Sequence, residues 1–90
     1  MAMDEINKAC VIEKEDREPV AKVIRKIIFY LREGKGEAET AVKQTLEESH
    51  CIGTKTEEII QGFLGKCKQI KDRNRQIVFW GDALVIVTRG

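Results

Sequence analysis

Histidine occurs once in this chain of 90 residues, and cysteine three times, at Cys10, Cys51 and Cys67. One imidazole cannot complete a usual zinc set, and no Cys-x-x-Cys pair is present, so no metal site is expected. An odd number of widely spaced cysteines reads as free thiols in a reducing cytoplasm, not as a disulfide framework. Long apolar runs are also missing. The longest are about five residues, such as Ala83 to Val87, and a membrane-spanning helix needs about 20. The opening Met1-Ala2-Met3-Asp4-Glu5 lacks the basic flank and apolar stretch of a secretory signal. These absences set the expectation of a soluble, cytoplasmic chain without a cofactor.

What is present is globular: 42% hydrophobic and 34% charged residues in a length that allows one domain. The net charge of +1 conceals a gradient. Met1 to Val20 holds six acids against three bases, Ala21 to Phe63 seven of each, and Leu64 to Gly90 six bases against two acids. This split points to a basic face near the C-terminal end, although charged surfaces are often patchy.

Catalytic constellations are scarce. His50 and Cys51 are adjacent, and neighbours at a helix end diverge by about 100°, which places them poorly as a nucleophile–base pair. Glu47-Glu48 and Glu57-Glu58 diverge in the same way and read as solvated faces. Cys67 falls on an apolar stripe and reads as core. Gly62-Phe63-Leu64-Gly65 has the spacing of an RNA-clamping loop, but Phe63 and Leu64 sit within a helical pattern as core residues. No catalytic residue and no enzymatic activity is expected.

The periodicity predicts three helices. Val20, Val23, Ile24, Ile27, Ile28 and Leu31 form one stripe, with Pro19 suited to a first turn and Gly34 and Gly36 to the stop. Ala38, Ala41, Val42, Thr45, Leu46 and Ser49 form a second, small-residue face ending near His50, and Gly53 turns the chain. Thr54-Lys55-Thr56-Glu57 has capping-box spacing, and Ile59, Ile60, Phe63, Leu64, Cys67 and Ile70 follow as the third face. Residues 75–88 then change period. Arg75 to Trp80 and Ala83 to Thr88 read as two strands about Gly81-Asp82, a two-residue hairpin turn. Both faces of the second strand are apolar, so this hairpin needs a cover: another strand, a sandwich or a dimer. Residues 1–15 read as an N-terminal extension, in which Ala9-Cys10-Val11-Ile12 suits either a strand or a short helix. The expected fold class is therefore α+β, mainly α: a three-helix bundle with a C-terminal β-hairpin, over residues 16–90.

Helix, helix, turn, helix, hairpin resembles the winged helix-turn-helix family over about residues 19–90, with Ser49, Ile52, Gly53 and Ile59 at the turn positions. The resemblance implies a small DNA-binding regulator or accessory factor whose third helix enters the major groove of double-stranded DNA. Thr54, Lys55, Thr56, Gln61, Lys66 and Lys68 become the contacts, with Lys71, Arg73 and Arg75 on phosphates. Glu57, Glu58 and the acidic wing tip at Asp82 depart from that pattern. The alternative is a protein-interaction or assembly domain forming a homodimer through the apolar hairpin, at Trp80, Leu84 and Ile86.

Overall fold

The computed structural model describes residues 14–89, and they form four α-helices joined by short loops. These are α1 (Lys14–Glu33), α2 (Ala38–Glu48), α3 (Lys55–Cys67) and α4 (Arg73–Arg89). The alternative readings of Ala9 to Ile12 lie outside the described residues. No described helix is long and apolar enough to cross a membrane.

The long helix α1 is the spine, packing against the other three. Val20, Val23, Ile24, Ile27 and Leu31 are fully buried along it, and Ile28 is half-buried. The expected stripe is therefore present, but the helix starts five residues before Pro19, which lies inside it. Proline there deletes one backbone hydrogen bond near the helix start. Glu15 and Asp16 in the first turn favour the positive end of the helix dipole. Gly34, at φ +71°, ends α1 in the left-handed region that glycine enters without a Cβ penalty.

α2 buries Ala38, Ala41, Val42, Thr45 and Leu46, the small-residue face that lets it approach α1 and α3. α3 buries Ile60, Phe63, Leu64 and Cys67. Thr54 is its N-cap, accepting from the Glu57 N–H at 3.4 Å. The return bond of a capping box is displaced by one residue: the Glu57 carboxylate accepts from the N–H of Gly53 at 3.0 Å. That glycine stands at φ +81° with open space around it.

The expected C-terminal hairpin is overturned: Arg73 to Arg89 is one continuous helix, and the described residues contain no strand. The fold is all-α, not a helical bundle followed by a β-hairpin. Burial gives the reason. Trp80, Ala83 and Val87 are buried at i, i+3 and i+7, flanked by half-buried Ile77 and Leu84. That helical stripe closes the core over α1, the helix with which α4 packs most extensively. A hairpin of the same residues has two apolar faces and only one core to bury them in. Tertiary burial thus outweighs the β propensity of Ile77, Val78, Val85, Ile86 and Val87 and the turn chemistry of Gly81-Asp82. From the first turn of the helix, the Gln76 side-chain amide donates to the Ile70 carbonyl at 2.7 Å, pinning the α3–α4 loop.

Candidate functional site

Helix α4 is apolar around most of its circumference, with Asp82 the one charge between Gln76 and Thr88. A helix of this kind is normally enclosed. Here one side is enclosed and the other is not. Trp80 is fully buried, its ring edge-on to Phe63 at 6.2 Å and to Phe79 at 5.6 Å. On the outer side Val78 is 62% exposed and Val85 46%. Gly81 lies between them with no atom within 4 Å of where a Cβ would stand. Phe79, Leu84 and Ile86 are half-buried at the flanks of the helix, packed against the core.

The residues expected at a dimer interface are therefore redistributed. Trp80 is wholly core and offers no surface to a partner. Leu84 and Ile86 show part of their side chains. Val78 and Val85 are the exposed pair. A hairpin turning at Gly81-Asp82 also sets these two opposite each other, but the interface was expected at Trp80, Leu84 and Ile86 instead.

The residues expected to contact nucleic acid divide into three groups. Thr56 is buried, and Thr54 is committed to capping α3, so neither is displayed as a base-reading side chain. Three others have partners within the chain. Lys55 pairs with Asp16 at 3.6 Å, Lys68 with Glu39 at 3.7 Å, and Arg73 donates to the Gly36 carbonyl at 3.5 Å. Gln61, Lys71 and Arg75 are exposed, and Lys66 is half-buried. Lys68, Lys71 and Arg73 do come together, around an open groove of about 540 Å³ at the meeting of α2, α3 and α4. Glu37 and Glu39 line the same groove, so its charge is mixed. The wing implied by the family resemblance has no counterpart among the described residues, because its sequence forms α4.

A second charged surface lies on α1, where sequence reading found only a stripe and its end. Phe29 is 62% exposed. An open groove of about 510 Å³ between α1 and α2 is lined by Arg25, Lys26, Phe29, Tyr30 and Lys35, with Glu48 at its edge. A second open groove of about 480 Å³, which Phe29 also borders, is lined by Arg25, Ile28, Arg32 and Glu33.

His50 is exposed with a left-handed backbone, φ +55°, and the neighbouring Cys51 thiol donates to the Ser49 carbonyl at 3.4 Å. Cys67 is buried beside Trp80. Burial pushes its thiol above the usual cysteine range, with the indole N–H pulling the other way. Among the described residues no group of His, Cys, Asp and Glu is arranged to hold a metal ion. The chain matches no family model, no curated protein and no solved structure.

Proposed function

We propose that this chain is a small helical assembly module that self-associates through the outer face of α4. The observation that carries the reading is the exposure of Val78 and Val85 on a helix that is apolar nearly all round. The face is also self-complementary. When two copies of α4 cross antiparallel at their midpoints, Val78 lies opposite the partner's Val85, and Gly81 opposite the partner's Asp82. Glycine at the crossing lets the two backbones approach closely. In the same register Arg75 meets Thr88 and Asn74 meets Arg89, while the two exposed Asp82 carboxylates flank the two-fold axis at the edge of the seam. A two-fold arrangement uses one patch twice, which suits a small chain with a limited core.

Sedimentation equilibrium across a concentration series tests this, with Val78→Glu and Val85→Glu as variants. Both sites are exposed, so circular dichroism should show the fold unchanged. A dimer that both variants convert to monomer is the expected result. A wild-type monomer throughout, or a dimer indifferent to both substitutions, would refute it. Leu84 and Ile86 are unsuitable for this purpose, because a charge at either also disrupts the core.

The duplex-DNA regulator reading has less support from the geometry. Of its six expected groove contacts, Thr54 is a cap, Lys55 and Lys68 are paired, and Thr56 is buried.

A further inference from the structure

We propose that the α1 face around Phe29 binds single-stranded nucleic acid, with a base stacked on the Phe29 ring and phosphates held by Arg25, Lys26, Arg32 and Lys35. Phe29 and Val78 are the most exposed large apolar side chains in the described chain. Phe29 borders both open grooves of this face. Arg25 is shared by the two; Lys26 and Lys35 line one, and Arg32 the other. These four cations are exposed, and none makes a salt bridge among the described residues, whereas Lys22, Lys55 and Lys68 each do. Glu33 and Glu48 also border the grooves, leaving the face net positive.

The chemistry of the occupant follows from how little apolar surface is offered. A protein partner needs a dry core of several apolar residues inside a polar rim, and here a single ring stands among charges. A strand needs only an aromatic face for a base and a positive track on either side for its backbone. A duplex keeps its bases stacked internally, so it can use the cations but not the ring. Rigidity supports the same occupant: Phe29 lies within the C-terminal part of α1, held by fully buried Ile24, Ile27 and Leu31 on the opposite side.

The experiment is fluorescence anisotropy of a labelled oligothymidylate of about 15 nucleotides, titrated with the full chain at low and moderate salt. Binding should weaken with a log–log salt slope of about −0.7 per phosphate contacted, hence roughly −2 to −3 for four cations. Phe29→Ala should weaken it about 5- to 100-fold, the range of one lost base stack, while Phe29→Tyr retains it. Arg25→Glu with Arg32→Glu should abolish it, and Val85→Glu should leave it unchanged, which separates this site from α4 pairing. Four results would overturn the proposal. One is no binding at low salt, and another is affinity indifferent to Phe29→Ala. The third is a duplex bound as tightly as the strand. The last is a polyglutamate peptide bound as tightly with the same dependence on Phe29, which would assign the face to an acidic protein instead.

Discussion

Trp80 decides more than any other residue. It is the one tryptophan in the chain, fully buried, and it joins α4 to Phe63 of α3. Truncating a buried Trp to Ala costs about 3–5 kcal/mol, a large share of the roughly 5–15 kcal/mol that stabilises a typical domain. Trp80→Ala should therefore unfold at much lower urea, followed by circular dichroism because the substitution removes the fluorophore. Beside it, the raised Cys67 thiol links stability to pH. Its ordinary ionisation lies near pH 8.5. The unfolded chain ionises first as pH rises, so the stabilisation is complete below about pH 8.5 and declines above it. Urea midpoints measured from neutral to alkaline pH should show that decline in the wild type and a smaller one in Cys67→Ser. At neutral pH, Cys51 should alkylate well before Cys67, as peptide mapping after a brief iodoacetamide pulse would show.

At the scale of elements, legibility depended on whether polar residues punctuated the apolar ones. α1, α2 and α3 carry charges between their stripes, so a period near 3.6 is visible. The structure buries nearly the residues that the period selects. Around Trp80 no such punctuation exists, because Ile77 to Trp80 and Ala83 to Val87 are apolar throughout. A run of that kind fits a buried strand and a buried helix equally well, and Gly81-Asp82 then decided the reading wrongly in favour of a turn. The same ambiguity hid the candidate site: Val78 and Val85 share a face in either structure, but only the helix buries Trp80 and leaves these two as the outer surface. The α1 face was legible in part, since Arg25, Lys26 and Arg32 stand at helical spacing from Phe29, and only Lys35 joins them from beyond the helix. Helical glycines give a further test at this scale. Gly62 stands within α3 and Gly65 in its last turn, both with no atom within 4 Å of a Cβ position. Alanine at either site should stabilise the fold by about 0.5–1 kcal/mol, read as a higher thermal midpoint. A lower midpoint would mean that α3 packs against something at those positions.

The described residues form a slab of 32 × 31 × 18 Å, hardly two helices thick. A slab exposes more surface for its volume than a sphere, so a chain this short gains less from its own core than a rounder fold would. Covering the outer face of α4 with a second copy makes up part of that deficit, and the gain depends on concentration. A partner that binds only the folded state adds about 2.7 kcal/mol at a concentration 100-fold above the dissociation constant, and almost nothing well below it. The thermal midpoint of the wild type should therefore rise with protein concentration by several degrees, since about 1 kcal/mol corresponds to roughly 4–8 °C in a domain of this size. Val85→Glu should keep one midpoint at every concentration, close to that of dilute wild type. That comparison separates a solvated apolar face from a working one. An exposed valine that merely tolerates water leaves the midpoint independent of concentration in both proteins, whereas a seam for a second copy makes the two curves diverge as the solution is concentrated.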